Sequence, residues 1–336
     1  MEGEARSKDW KPLAIVVVGL LVLFSPFLIL AGREAVDFFT PESKATVPAA
    51  KVDGPVVSAL LYHAISDGRD LVPADKAYSV SPDAFEKQMK LLKRSGFRTI
   101  GMRRLAAFHD GNLRGLPRRP AAVTFDDGLL SSWKGSDSVL RKLGFRGAMF
   151  LDLGRINRDP QYMNWDQVRE MYKSGRWDVD VHAGLLHKSI RYGPLPREFG
   201  PAYAYRAVGE TFGGWKRRVS NDLEWAIRKM RSELPGWEPT AWAVPYGSYG
   251  QISSNDRRIA PSLIDFAGRL FPVIFGGACG PFIVPDEPLP FNRLEVKNGV
   301  TESQLGASLA TGRPPAGTID PNDCDRREPV LDKPVR

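Results

Sequence analysis

Short apolar runs alternate with helical patterns along most of this chain. Val56–Tyr62, Phe97–Ile100, Ala121–Phe125, Gly147–Leu151, Trp177–Val181, Ala241–Val244, Val273–Phe275 and Phe291–Val296 read as strands. Between them, Ser81-Pro82 opens a helix with a capping Ser and Pro at the first helical position. Phe85, Met89 and Leu92 line one face of it, and Gly96 stops it. Further helices end at Leu140–Gly144, run over Trp165–Lys173 with Gly175 as stop, and run over Asn221–Leu234. A Gly/Pro/Tyr-rich insertion occupies about Arg191 to Trp215. No internal repeat is present. Repeated β-then-α units predict a parallel sheet with helices outside it, and their number suits an incomplete (β/α) barrel. The tail beyond about Leu305 is rich in Pro, Gly and Asp and is expected to be irregular.

One segment breaks this pattern. Leu13–Gly32 is twenty residues without a charge, enough for a helix of roughly 30 Å, the hydrocarbon thickness of a bilayer. Arg6, Lys8 and Lys11 precede it, which predicts a cytoplasmic N-terminus at 1–12, a transmembrane anchor at 13–32, a linker at 33–55 and an exported body. A cleaved signal peptide is the competing reading, with Leu30-Ala31-Gly32 as its cleavage site. Either way the body works on the extracytoplasmic side.

The 336 residues carry 47 Lys plus Arg against 39 Asp plus Glu, a net charge of +8. No long basic run accompanies the excess, so nucleic acid is not an expected partner. Hydrophobic and charged shares of 43% and 26% exclude a disordered chain. Two cysteines, Cys279 and Cys324, exclude a disulfide scaffold but permit one bond in an oxidising compartment.

Chemistry concentrates at predicted strand ends. Thr124-Phe125-Asp126-Asp127-Gly128 closes an apolar strand with two carboxylates and a glycine that lets the backbone turn. His182-Ala183-Gly184-Leu185-Leu186-His187 closes another. Five residues of helix would put the two rings roughly 140° apart, whereas a strand end and its following loop can bring them together. A carboxylate and two imidazoles form a facial set for a divalent cation that leaves positions open for water and substrate. Taken singly, an Asp-Asp-Gly turn and a buried-plus-surface His pair are the commoner explanations.

The chain resembles the polysaccharide deacetylases with a NodB-homology domain, carbohydrate esterase family four, and within them the branch acting on poly-N-acetylglucosamine. The resemblance spans roughly Val56 to Val300 and is carried by Leu61-Tyr62-His63, Thr124–Gly128, the His182–His187 spacing and Ala243-Val244-Pro245-Tyr246-Gly247. Asn164-Trp165 and an Asn221-Asp222-Leu223 helix start add to it. It implies an incomplete barrel of NodB-homology type over 56–300, followed by a tail at 301–336. It implies Asp127, His182 and His187 as ligands of a divalent metal, zinc first, with nickel, cobalt or iron fitting the same donors. Asp126 would be the general base and His63 the general acid. Pro245 and Tyr246 would border the sugar, with the Tyr246 amide at the oxyanion. The implied activity is removal of N-acetyl groups from an exported polysaccharide, in company with synthesis or export machinery. Peptidoglycan sugars are the alternative substrate, and a catalytically weak polysaccharide-binding component is the alternative class.

The chain departs from the family in Ala183, where Ser or Thr is usual, and in Val181 and Leu185, where polar residues are common. These positions orient the ligands, and their loss is expected to weaken metal binding or activity. The arginine common before the Pro-Tyr pair is also absent, and Arg293 is the candidate substitute. Asp178 matches an acidic position of the family, and it and Asp180 share the His182 face of their strand. His109 reads as a surface residue, Trp165 and Trp242 as core.

Overall fold

The computed structural model describes residues 45–50, 54–68 and 76–315. One compact unit, beginning at Thr46, carries the strands and helices. The apolar run Leu13–Gly32 and Cys324 lie outside the described residues, so the anchor and the Cys279–Cys324 bond do too. Among the described residues no helix is long and apolar enough to cross a membrane.

The expected α/β architecture is present. In chain order the elements are β1 (Val57–Tyr62), α1 (Pro82–Arg94), β2 (Arg98–Thr99), α2 (Met102–His109), β3 (Pro120–Phe125) and α3 (Leu130–Leu143). Then come β4 (Gly147–Asp152), α4 (Trp165–Lys173), β5 (Trp177–Ala183), the hairpin β6 (Ser189–Arg191) and β7 (Phe199–Pro201), and α5 (Phe212–Glu233). The chain ends with β8 (Ala241–Ala243), α6 (Ile259–Gly268), β9 (Val273–Phe275), β10 (Phe282–Ile283), β11 (Leu294–Glu295) and α7 (Glu302–Thr311). The main sheet runs β10-β1-β3-β4-β5-β8-β9, with β1, β3, β4, β5, β8 and β9 mutually parallel. The stretch 291–296 crosses between the two ends of this path. Phe291 bonds Ile274 and Gly276 beside β9, Val296 bonds Leu61, and β11 pairs with β1. The sheet is therefore curled into a half-barrel.

Strand alternation sorts the core into two layers. Val57, Ala59, Ala122, Ala148, Phe150, Ala241, Ala243, Val273 and Phe275 share one cluster, into which α2 inserts Met102, Leu105 and Phe108. Alanine recurs here because the concave side of a curled sheet leaves little room. The intervening positions, Leu60, Val123, Phe125, Met149, Leu151, Val179 and Val181, pack outward against the helices.

Three expectations need correction. The long helix begins at Phe212 rather than Asn221, because Thr211 caps it by accepting from the Gly214 amide and Trp215 and Val219 are buried. Two consecutive glycines had the look of a loop. The tail is not irregular at Leu305: α7 continues to Thr311, capped by Thr301 and Gln304, and buries Leu305 and Leu309. His109 is not on the open surface. Its ring meets the edge of Phe291 at 5.0 Å, and its Nε2 lies 2.9 Å from the Glu287 carbonyl, because 284–287 folds across the end of α2.

Candidate active site

The inward parity of the strands continues beyond the apolar layer into chemistry. His63 follows Val57, Ala59 and Leu61 on β1. Asp126 follows Ala122 and Thr124 on β3, Asp152 follows Ala148 and Phe150 on β4, and His182 follows Asp178 and Asp180 on β5. All four stand at the C-terminal ends of parallel strands, where a barrel presents its functional groups. A cavity of ≈ 670 Å³ opens there, lined among others by His63, Asp126, Asp127, His182, His187 and Tyr246.

Successive strand residues point to opposite faces, so Asp126 and Asp127 could not both reach this cavity on a regular strand. Asp127 has φ 73° and Gly128 φ 80°. This left-handed pair reverses the chain directly after Asp126 and brings the second carboxylate round to the mouth. The turn thus begins one residue before the glycine.

Asp127, His182 and His187 converge, with one ligand atom from each lying within 4.8 Å of the others. Asp127 Oδ1 is 3.4 Å from His182 Nε2 and 3.8 Å from His187 Nδ1. The tautomer of His182 follows from its partner. Its Nδ1 lies 2.8 Å from the Ala243 carbonyl, which can only accept, so Nδ1 carries the proton and Nε2 keeps a lone pair toward Asp127. His187 Nδ1 lies 3.1 Å from Asp152 Oδ2. Burial opposes the charged form of His187, but Asp152 and Asp127 more than offset this and raise its pKa. At His182 burial prevails and lowers it. One carboxylate and two imidazoles, each backed by an acceptor, fit a divalent cation by their donor chemistry.

Asp126 is 3% exposed, and Arg293 meets it edge-on. Nη1 donates to Oδ1 at 2.7 Å and Nη2 to Oδ2 at 2.6 Å, while Nη1 also donates to Thr124 Oγ1 at 3.0 Å. Burial by itself would raise the pKa of Asp126, but the guanidinium outweighs it and holds the carboxyl at about 2. Arg293 reaches this place because Phe291 and Arg293 bond Gly276 and Gly277 beside β9. It is supported by the Phe275 ring at 4.8 Å.

His63 sits across the cavity with its ring 5.3 Å from that of Tyr78. Its Nδ1 is buried without a hydrogen-bond partner, and Glu295 Oε1 lies 4.0 Å away. The pairing of Leu61 with Glu295 in the β1–β11 ladder places that carboxylate. Tyr246 has φ 58°, is half-exposed, and lays its ring 4.6 Å from that of His187. Pro245 is buried beneath it.

The turn between the two histidines is apolar in sequence, yet it is held from outside. Asp222, buried on α5, accepts from the Gly184 amide at 3.0 Å, the Leu185 amide at 2.7 Å and the Tyr203 hydroxyl at 2.6 Å. A Cβ on Gly184 would come 2.7 Å from Asp222 Oδ1, so only glycine allows this approach. Val181 and Ala183 pack in the outer core, and Leu185 is exposed. Asp152 and Glu295 were not among the sequence candidates, and Asp222 entered there only as part of a helix start, without a site role. Asp152 and Asp222 left a signal: Asp152 has the strand parity of Asp126, and Asp222 falls on the buried stripe of its helix with Trp215, Val219, Ala226 and Met230. Asp178 caps α2 by accepting from the Met102 amide at 2.8 Å and pairs with Arg146 at 3.4 Å. Asp180 is buried and accepts from the Thr240 amide at 3.1 Å. Trp242 is fully buried, donating to the His182 carbonyl at 2.9 Å, and Trp165 is core.

Residues 114–260 match the family model of polysaccharide deacetylases. Over this stretch the chain is similar to the polysaccharide deacetylases, and the half-barrel is the fold it shares with them. Among its relatives the chain is similar to the poly-N-acetylglucosamine branch. It is 26% identical over 117 residues to the poly-beta-1,6-N-acetyl-D-glucosamine N-deacetylase of Staphylococcus aureus, covering 33% of this chain and 39% of that protein. Against the Staphylococcus epidermidis protein of the same name, identity is 22% over 190 residues, 53% of this chain and 64% of the relative. The chain thus spans about two-fifths of the S. aureus relative's length and under two-thirds of the S. epidermidis one. The fold is shared with IcaB from Ammonifex degensii (TM-score 0.59, 21% identity, 77% of this chain and 98% of that one). It is shared also with a de-N-acetylase from Aggregatibacter actinomycetemcomitans (TM-score 0.63, 18% identity, 76% and 100%).

Proposed function

We propose that this protein is a metal-dependent hydrolase that removes N-acetyl groups from N-acetylglucosamine units of an exported, poly-N-acetylglucosamine-type polysaccharide. The observation that carries the reading is the convergence of Asp127, His182 and His187 beside Asp126 and His63 around one cavity. Asp127, His182 and His187 would hold the cation, which when bound supplies a Lewis acid for the acetamide carbonyl and lowers the pKa of a nearby water. Asp126 is ionised throughout the neutral range and accepts the proton of the attacking water. Arg293 keeps both carboxylate oxygens in place for that transfer. His63 gives its proton to the departing glucosamine nitrogen as the C–N bond breaks, and acetate leaves. The Tyr246 amide steadies the oxyanion, and its ring with Pro245 borders the sugar.

The apolar turn between the histidines motivated the alternative of a catalytically weak binding component. Asp152 and Asp222 supply the missing polar support and favour the enzyme. The apolar run Leu13–Gly32, with basic residues before it, supports a membrane-anchored protein acting outside the cytoplasm.

The test is acetate release from acetylated glucosamine oligomers by the metal-loaded protein. Release by the wild type, and loss of both release and metal binding in Asp127→Asn and His182→Ala, is expected. No release, or full activity in either variant, overturns the assignment.

A further inference from the structure

We propose that the opposite end of the unit, at the N-terminal ends of the strands, is a docking surface for anionic lipid headgroups. In this orientation the catalytic mouth faces away from the bilayer.

Six arginines gather at that end: Arg98 at the start of β2, Arg103 and Arg104 on α2, Arg114 in the loop after it, and Arg118 and Arg119 just before β3. Backbone contacts hold several of them together. The Arg98 amide bonds the Arg119 carbonyl at 2.9 Å, and the Arg104 guanidinium donates to the carbonyls of Asn112 at 2.9 Å and Arg114 at 2.5 Å. Among the described residues, none of the six has a carboxylate within 4.0 Å. Elsewhere among the described residues arginines are more often paired: Arg169, Arg176, Arg218, Arg231, Arg258 and Arg269 each meet Asp or Glu between 2.6 and 2.9 Å, although Arg141, Arg158, Arg191, Arg197, Arg217, Arg257 and Arg313 do not. The acids at this end are Asp110 and Asp286, exposed by the C-terminal end of α2, Asp178, paired with Arg146 beside the start of α2, and Glu238, exposed before β8 and paired with Arg231. Arg119 shows the crowding: burial, then the charge of Arg118, lowers its pKa. An anion from outside would relieve this excess.

Two features make lipid the fitting anion. Leu113, 45% exposed, projects between Asn112 and Arg114 at the loop tip. An apolar side chain beside Arg114, on a loop whose flanking carbonyls are held by Arg104, suits the boundary between headgroups and acyl chains. The chain also enters the unit on this face. Val47 is buried there, its amide donating to Ser95 Oγ at 2.8 Å, and Arg119 donates to the Val47 carbonyl at 2.7 Å and the Pro48 carbonyl at 2.6 Å. Twelve residues, 33–44, separate the apolar run ending at Gly32 from Ala45. Fully extended they reach about 40 Å. A bilayer holding that run is therefore within reach of this face.

The experiment is hydrogen–deuterium exchange of amides 110–118 in the full chain, reconstituted in nanodiscs of phosphatidylcholine alone or with about one-third phosphatidylglycerol. Exchange at least tenfold slower in the anionic discs, lost at high salt, is expected. The fourfold variant Arg98→Gln/Arg103→Gln/Arg114→Gln/Arg118→Gln should lose the protection. At roughly fivefold per arginine its affinity for anionic vesicles should fall a hundredfold or more. Leu113→Ser, which leaves every charge in place, should weaken binding by a smaller factor. Acetate release from soluble oligomers by these variants should match wild type, so failure of the docking surface and failure of the deacetylase assignment are separately visible. Equal exchange in the two lipids overturns the proposal. So does protection by a soluble anionic polysaccharide but not by anionic discs.

Discussion

Arg293 grips Asp126 through two parallel hydrogen bonds of 2.7 and 2.6 Å, both groups being almost wholly buried. Guanidinium and carboxylate meet fork to fork, the strongest arrangement available to this pair of side chains. The partner comes from 167 residues further along the chain, where the family's usual position before Pro245 holds Trp242 and Ala243.

That pairing has a signed pH dependence. The carboxyl falls from 3.8 to about 2 on folding, so the stabilisation is fully present above about pH 4 and is lost as pH falls toward 2. It amounts to about 2 kcal/mol. Arg293→Met should destabilise by about 3–5 kcal/mol at neutral pH, because it strands a buried charge. It should also move the acidic limb of kcat/KM upward. Urea unfolding and the pH–rate profile of the variant measure both.

Asp222→Asn keeps the size of the side chain but removes one acceptor from the turn linking His182 to His187. Metal affinity should fall about 10–100-fold. The melting temperature of the metal-free protein should change much less. Chelator competition gives the affinity, and an unchanged value would show that the turn holds itself.

His63→Ala should lower kcat by about 10²–10⁴-fold while leaving metal affinity at the wild-type value, since His63 stands outside the ligand set. A substrate whose leaving amine needs no protonation should be hydrolysed by this variant at close to the wild-type rate. Single-turnover acetate release with both substrates is the measurement.

Asp180 reverses the usual sign. Burial, with the like charge of Asp178 adding to it, outweighs the Thr240 and Ala241 amides and raises its pKa well above the ordinary value. Its contribution is therefore present below about pH 4 and is lost as pH rises through the raised pKa. Asp180→Asn retains an acceptor for the Thr240 amide and cannot ionise. It should stabilise the protein at neutral and alkaline pH and flatten the rise of stability toward acid. Melting temperatures from about pH 4 to about pH 9 test this.

Local pattern determined much of this protein. Alternation on the strands, Ser81-Pro82 at a helix start and Gly144 at a helix end are written in neighbouring residues, because backbone geometry and burial on one face act over a few positions. The same strand pattern put His63, Asp126 and His182 at strand ends, and the turn at Asp127-Gly128 is readable in an Asp-Asp-Gly stretch. What tertiary structure decided was who meets whom. No short-range rule joins Arg293 to Asp126, Asp222 to the Gly184 amide or Glu295 to His63. Each contact exists because the half-barrel curls until strand ends and an α5 face, distant in sequence, share one small volume. There the cost of burying a charge selects the partner that can neutralise it.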